Sequence, residues 1–144
     1  MKVIVGSDHA GFDLKSNLIR NHPQIDWIDM GPHHGDSVDY VDFADLVCAE
    51  VLKSGFLGVL LCGSGQGMAM RANKFLKIRA GLCHSLESVK LAREHNNANV
   101  LCMGSRLITH TQAFQIFDSF IKTPFAGGRH LPRVEKLSKP VQTV

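Results

Sequence analysis

A regular alternation between short apolar runs and amphipathic stretches constrains the fold more than any other feature of the 144 residues. Five runs have the length of a buried strand, at residues 3–5, 27–28, 58–62, 78–83 and 100–103. Strands that are short and apolar on both faces are typical of a parallel sheet covered by helices on both sides. The pattern therefore predicts a single α/β domain with a five-stranded parallel sheet.

The stretches between these runs carry apolar residues at helical spacing. They predict helices at residues 11–21, 43–52 with a stop at Gly55, 66–75, 86–95 behind a Ser85 cap, and 110–121 behind a Thr109 cap. Residues 123–144 fit no further strand and are expected to form a tail that docks on the body or on a neighbouring subunit. Residues 1–122 would then form the α/β domain.

Composition excludes several classes of protein. Hydrophobic residues make up 44% and charged residues 20%, which is typical of a globular domain. No apolar run approaches the ~18 residues of a membrane span. Asp8 and His9 interrupt any signal-peptide core. We therefore expect a cytoplasmic protein without a membrane partner.

The charge is unevenly distributed along the chain. Residues 1–50 carry three basic and nine acidic side chains, whereas residues 51–144 carry thirteen basic and four acidic ones. A nucleic-acid-binding protein would more often concentrate its basic residues in a dense stripe. The scattered basic side chains favour a small anion as the ligand rather than nucleic acid.

The carboxyl ends of the strands are where parallel α/β sheets bind ligands. The loop after the third predicted strand is the most specific, because Gly63, Gly65 and Gly67 alternate with other residues at the start of a helix. Glycines let backbone N–H groups converge on one point, and a helix N-terminus adds partial positive charge. We interpret residues 62–67 as a cradle for a phosphate or a developing oxyanion; the alternative is a tight turn that binds nothing.

Cys62 ends the third predicted strand and faces this loop. Backbone N–H groups and a helix N-terminus stabilise a thiolate, which could act as a nucleophile or a general base. The alternative is a cysteine buried as a small hydrophobic side chain. That interpretation is preferred for Cys48, Cys83 and Cys102. All four cysteines are expected to be free thiols, because none forms a Cys-x-x-Cys pair.

Three familiar motifs are incomplete. A dinucleotide fingerprint would need glycine at the position of Met68. A P-loop would need lysine after Gly11, and a hydrolase nucleophile elbow would need glycine in place of Cys62. His33 and His34 look like a metal pair, but no third ligand has a recognisable spacing. We therefore expect a solvated loop there, with no metal and no cofactor.

Other polar residues lie where a ligand could meet them. Asp8 and His9 follow the first strand, although Asp8 could instead cap the next helix. His95 ends the fourth helix, where it could shuttle protons or simply interact with the helix dipole. Arg129 and Arg133 are four residues apart and could bind a phosphate dianion, the alternative being a solvated basic tail.

Together, these motifs resemble the type B ribose-5-phosphate isomerases, a family shared with the galactose-6-phosphate isomerase subunits. The matching segments lie in the same order between Val3 and about Val134: residues 6–11, 39–40, 62–67, 72–74, 94–96, 99–101, 104–106 and 127–130. The resemblance implies a Rossmann-like three-layer α/β/α fold. It also implies metal-independent interconversion of an aldose phosphate and a ketose phosphate through a cis-enediol, in a dimer or tetramer of identical chains with shared active sites.

The resemblance also implies roles for individual residues. Cys62 would be the base that moves a proton between C2 and C1, and Asp8 would contact the sugar hydroxyls. Beside the base, an anion hole would be formed by Gly63, Ser64, Gly65, Gln66 and Gly67. His95 would help to open the furanose ring. The substrate would be bound by His9, Tyr40 and Asn96, and its phosphate by Arg106, Arg129 and Arg133.

Two alternatives remain open. An isomerase of allose 6-phosphate or galactose 6-phosphate would use the same residues, because pocket length decides between a pentose and a hexose. A non-catalytic phosphosugar-binding module would use the glycine loop and the arginines but would not need Cys62, which therefore favours an enzyme. One departure from the family is Val41, where relatives commonly have proline.

Overall fold

The computed structural model describes residues 1–142, which contain a parallel five-stranded sheet with helices on both faces. The strands are β1 (Lys2–Ser7), β2 (Asp26–Asp29), β3 (Leu57–Cys62), β4 (Ala80–Leu82) and β5 (Val100–Gly104), in the spatial order β2-β1-β3-β5-β4. The three-layer α/β/α fold expected from the sequence is therefore confirmed.

The helices begin and end close to the predicted positions. They are α1 (Phe12–Asn21), α2 (Tyr40–Ser54), α3 (Gln66–Ala72), α4 (Leu86–Asn96), α5 (His110–Lys122) and α6 (Leu131–Leu137). The predicted caps are confirmed, since the Ser85 and Thr109 hydroxyls accept backbone N–H bonds at the starts of α4 and α5. Gly55 ends α2 at a φ of 76°, a left-handed conformation that glycine adopts readily.

Successive side chains of each strand pack into two separate cores. On one face of the sheet, Val5 and Leu61 pack with residues of α1, α4 and α5. On the other face, Ile4 and Leu60 pack with residues of α2 and α3. Because helices cover both faces, nearly every position of the central strands β1, β3 and β5 is buried, which explains why apolar runs rather than alternation mark these strands in the sequence.

The strand order determines where a ligand can bind. The chain leaves β1 for β2 on one side and later adds β3 on the other side of β1. At such a switch point the connecting loops diverge and leave a crevice beyond the carboxyl ends of the strands. The fold therefore places its binding crevice between the ends of β1 and β3.

Two elements are shorter than the sequence predicts. The fourth strand was expected at residues 78–83 and the third helix at 66–75, but they span Ala80–Leu82 and Gln66–Ala72. The Asn73 side chain links the end of α3 to the start of β4. Its Nδ2 donates to the Ala80 carbonyl at 3.0 Å, and its Oδ1 accepts the Ala80 N–H at 2.9 Å. The amide thus occupies the outer edge of β4, a position that a further strand would otherwise take.

The predicted tail contains helices rather than a strand over its described residues; residues 143–144 lie outside them. A 3-10 turn at Gly128–His130 leads into α6. The Ala126 N–H donates to the Glu94 carbonyl at 3.0 Å, and the Val134 side chain is buried. The segment therefore packs against its own chain near the end of α4. Among the described helices we find none with the length and hydropathy of a membrane span.

The close approach of Gly11 to β3 can be tested by substitution. Gly11→Ala should lower the free energy of unfolding by at least about 2 kcal/mol, because a Cβ there would overlap the Leu61 carbonyl. Gly35→Ala is the matched control. Its Cβ would meet only the Phe12 ring, at 3.7 Å, so the loss should stay below about 0.5 kcal/mol. Urea unfolding measures both, and equal stabilities would contradict the packing.

Candidate active site

A pocket of about 330 Å³ opens at the predicted crevice. It is lined by Asp8, His9, Ala10, Tyr40, Cys62, Gly63, Ser64, Gly67, Arg106 and Leu107. The sequence predicted eight of these ten residues as part of a site. Ala10 and Leu107 were not predicted, because small and apolar side chains carry no chemical signal. The pocket therefore unites loops that follow β1, β3 and β5.

Cys62 lies in the wall of this pocket with its side chain almost buried, at 5% exposure. Its Sγ accepts the backbone N–H of Gly65 at 3.1 Å. A donor in this position stabilises negative charge on sulfur. The N–H groups of Gly63 and Ser64 make no hydrogen bond within residues 1–142 and are free to donate to a ligand. The loop thus offers a thiol and backbone donors side by side.

The three glycines of this loop make room for its neighbours. A Cβ on Gly63 would lie 2.9 Å from the Arg106 guanidinium, and one on Gly67 would lie 2.6 Å from the Tyr40 ring. Gly65 has a φ of 76°, and its Cβ would come within 2.9 Å of the β5 backbone. A single turn would not need all three glycines. Their spacing in the sequence therefore reflects close contacts from both sides of the loop.

The loop after β5 holds the cysteine loop in place. The Ser105 N–H donates to the Cys62 carbonyl at 2.8 Å, and the Arg106 N–H donates to the Gly63 carbonyl at 3.0 Å. The Ser105 hydroxyl donates to the Ala10 carbonyl in the loop after β1, at 2.7 Å. These bonds tie all three loops together and leave the exposed Arg106 guanidinium beside Gly63.

Asp8 lies between the start of α1 and the pocket. One carboxylate oxygen accepts the Gly11 N–H at 2.9 Å, just before α1, while the side chain also lines the pocket. His9 accepts the backbone N–H of Val38 through Nδ1, at 3.3 Å. This bond fastens the loop between β2 and α2, which leads to Tyr40, against the pocket.

Lys15 is a buried charge that the sequence did not reveal. Its side chain is 1% exposed, and Nζ donates to Asp29 at 2.7 Å and to the Pro32 carbonyl at 2.6 Å. Asp29 also accepts the Gly31 N–H at 2.9 Å. A lysine on an amphipathic helix normally predicts the solvated face, so no signal distinguished this one. Lys15 joins α1 to the loop that carries Val38.

Six predicted site residues do not line this pocket. Gly65 and Gln66 belong to the cysteine loop itself, whereas His95, Asn96, Arg129 and Arg133 lie elsewhere. His95 stacks on His130 with ring centroids 4.2 Å apart. Partial burial lowers the pKa of His130, and the positive charges of His95, Arg129 and Arg133 lower it further. No carboxylate pairs with these side chains within the described residues. His95, His130, Arg129 and Arg133 form a separate basic cluster at the end of α4 and the C-terminal segment. Asn96 instead lines a second pocket, with Asn73 and Arg79.

The remaining cysteines are buried free thiols, as predicted. Burial raises the pKa of Cys48 to about 12 and that of Cys83 to about 11. Burial also raises the pKa of Cys102 well above its usual range. These thiols stay protonated at neutral pH. Cys62 is the one cysteine among the described residues that lines the pocket.

The His33–His34 pair lies on an exposed loop. His33 approaches Asp29 at 3.7 Å and His34 approaches Asp36 at 3.5 Å, so the two rings have different partners. Within residues 1–142, no three histidine, cysteine or acidic side chains are grouped as a metal site would require.

Comparison with known proteins identifies the class to which this fold and pocket belong. The sequence profile of the ribose/galactose isomerase family matches residues 3–137. The chain therefore belongs to the ribose/galactose isomerase family, as the sequence motifs indicated.

Individual relatives agree. A probable ribose-5-phosphate isomerase B of Mycoplasma genitalium is 43% identical over 141 residues, covering 94% of this chain and 92% of the relative. The ribose-5-phosphate isomerase B of Escherichia coli is 36% identical over 140 residues, covering 95% and 94%.

Two solved structures extend the likeness to three dimensions. The ribose 5-phosphate isomerase of Thermotoga maritima superposes with a TM-score of 0.93 at 43% identity, covering 95% of this chain and 97% of that one. The Mycoplasma genitalium enzyme with bound ribulose-5-phosphate superposes with a TM-score of 0.90 at 41% identity, covering 95% and 93%.

The buried Lys15–Asp29 pair should stabilise the fold. Asp29→Ala should cost about 3–5 kcal/mol of unfolding free energy, because it leaves a buried ammonium without its counter-charge. Asp26→Ala is the control, since it breaks an exposed pair with Lys2 at 3.7 Å and should cost less than about 1 kcal/mol. Urea unfolding measures the free energy of unfolding of both variants. Similar decreases in the two variants would contradict a structural role for the buried pair.

Proposed function

We propose that this protein interconverts ribose 5-phosphate and ribulose 5-phosphate through a cis-enediolate, with Cys62 as the general base. The observation that carries the proposal is the Cys62 thiol in the pocket wall, with the Gly65 N–H directed at its sulfur. The family and the names of the relatives support the same reaction class. A binding module would not require a thiol at this place.

The proposed reaction needs a base and hydrogen-bond donors, and the loop of residues 62–67 has both. The C2 proton of the open-chain aldose lies next to a carbonyl and is only weakly acidic, so its removal needs a base and stabilisation of the resulting enediolate. Cys62 as thiolate would take the proton from C2, and the same thiol would return it to C1. The free N–H groups of Gly63 and Ser64, with the Ser64 hydroxyl, would face the developing negative charge.

The other pocket residues would orient the sugar. Asp8 keeps one carboxylate oxygen for a sugar hydroxyl, because the other already accepts the Gly11 N–H. His9 and Tyr40 would border the substrate on the side of the loop that leads into α2. Arg106 lies at the rim beside Gly63, where it could bind the phosphate. Holding the phosphate fixes the reacting carbons relative to the base.

The basic cluster would complete the site from a second copy of the chain. His95, Asn96, Arg129 and Arg133 lie outside the pocket of their own protomer. Two arginines and two histidines that have no carboxylate partner in the described part of the chain suit a phosphate dianion. In a symmetric homo-oligomer the cluster of each subunit would serve its neighbour's pocket, since a two-fold interface repeats every contact. His95 would then open the sugar ring, and Asn96 would bond the enediolate.

The base is tested first. Cys62→Ala should lower kcat for ribose 5-phosphate at least about 10²-fold, the low end for loss of a general base. Cys83→Ala is the matched control, because it removes a buried thiol outside the pocket and should leave kcat within about twofold. More than half of wild-type turnover in Cys62→Ala would remove this residue from the mechanism. Faster wild-type turnover of allose 6-phosphate or galactose 6-phosphate would identify a hexose isomerase instead.

The shared site is tested by complementation. Mixing inactive Cys62→Ala with His95→Ala or Arg133→Ala should restore up to about a quarter of wild-type activity, since random dimers regain one intact site in each mixed pair. Mixing Cys62→Ala with Asp8→Asn should restore none, because both residues belong to the same pocket. Sedimentation should show no 15.8 kDa species at micromolar concentration. A fully active monomer would contradict the proposal.

We propose that the reaction is metal-independent, as the family resemblance implies. In support, no three histidine, cysteine or acidic side chains of residues 1–142 are grouped as a metal site would require. Exhaustive chelation should therefore leave turnover unchanged, without any added cofactor. Loss of activity that one particular metal restores would contradict this expectation and would direct attention to His33 and His34.

A further inference from the structure

The hydrogen-bond ladder between β4 and β5 is completed by a side chain at the carboxyl end of the sheet. The backbone of β4 follows β5 as far as the Cys83 N–H, which donates to the Cys102 carbonyl at 3.0 Å. The next β5 amide on this side is Gly104, where a longer β4 would supply a carbonyl oxygen. Instead, the Gly104 N–H donates to Nε2 of His84 at 3.1 Å.

Gly104 lies directly beneath the cysteine loop. A Cβ on Gly104 would come within 2.5 Å of the Ser64 backbone, and a Cβ on Gly65 would come within 3.2 Å of the Gly104 nitrogen. The loop backbone therefore rests on the end of β5 without an intervening side chain. Any shift of Gly104 moves Gly65, whose own N–H bonds the Cys62 sulfur.

The geometry also defines the state of the His84 ring. A backbone N–H can only donate, so Nε2 must carry a lone pair. The ring is then neutral, with its proton on Nδ1. Partial burial lowers the pKa of His84 and favours this neutral form.

We propose that His84 is a positioning residue for the isomerisation: by accepting the Gly104 N–H, it fixes the backbone on which the Cys62 loop rests. The kinetic consequence depends on the function proposed above. His84 does not line the pocket, so it acts through Gly104 and Gly65 rather than on the substrate. The Arg106 N–H keeps its own bond to the Gly63 carbonyl, so phosphate binding should suffer less than proton transfer.

Two substitutions distinguish the effect of the hydrogen-bond acceptor from the effect of side-chain size. His84→Leu removes the acceptor and should lower kcat at least about tenfold while changing KM less than about threefold, because it displaces the base relative to the substrate carbons. His84→Gln places an amide oxygen near the position of Nε2 and should recover most of kcat. His110→Leu is the control, since His110 is an exposed histidine at the start of α5 and its loss should change neither constant.

Nuclear magnetic resonance of the full-length wild-type protein tests the contact without any substrate. Nitrogen-15 shifts should show His84 with an unprotonated Nε2 and a protonated Nδ1 at neutral pH. The Gly104 amide should exchange with solvent at least about tenfold faster in His84→Leu than in wild type, and at near wild-type rates in His84→Gln. Both measurements can be made even if the protein does not turn over ribose 5-phosphate. Absence of turnover would contradict the proposed function but not the contact between His84 and Gly104.

Three results would overturn the proposal for His84. One is a wild-type Nε2 that carries a proton at neutral pH. Another is a folded His84→Leu variant with kcat within twofold of wild type. The third is a His84→Gln variant as slow as His84→Leu. If His84→Leu does not fold, the proposal is still tested by the tautomer of His84 in the wild type and by the kcat of His84→Gln.

Discussion

Backbone-to-backbone contact between the cysteine loop and the end of β5 is the constraint on which the rest of the site depends. Gly65 and Gly104 approach so closely that neither position has room for a side chain. The Ser105 N–H then reaches the Cys62 carbonyl, and the Ser105 hydroxyl reaches the loop after β1. Because the contact is made by backbone, the position of the thiol is set by strand register and not by flexible side chains.

The sequence predicted the fold and the position of the pocket well, for a physical reason. Buried parallel strands must be apolar at every position, and caps such as Ser85 use chemistry that is local along the chain. Strand ends collect ligand residues in this class of sheet, so the pocket around Cys62 could be located before any coordinates were known. Lys15 could not be predicted, because its burial depends on an acidic partner fourteen residues away.

The rest of the predicted site shows what local patterns leave undetermined. His95 and Arg133 have side chains suited to proton transfer and phosphate binding. The sequence pattern does not tell, however, whether they lie near Cys62 of the same chain. The protomer separates them into a pocket and a basic cluster. Within residues 1–142, the pocket has a thiol and N–H donors without a hydrogen-bond partner, and the cluster has basic side chains without a carboxylate partner. The shared site proposed above would unite them through assembly of identical chains.

The amide of Asn73 has a consequence for how such chains can associate. Open sheets commonly join by hydrogen bonding edge to edge, which makes one continuous sheet from two. At the β4 edge, the outward N–H and carbonyl of Ala80 are already engaged by that amide. A neighbour could extend the sheet there only by displacing both bonds, and β4 offers just three residues in return. Extension of the sheet through the β4 edge is thereby disfavoured, and β2 is the other edge strand of this sheet.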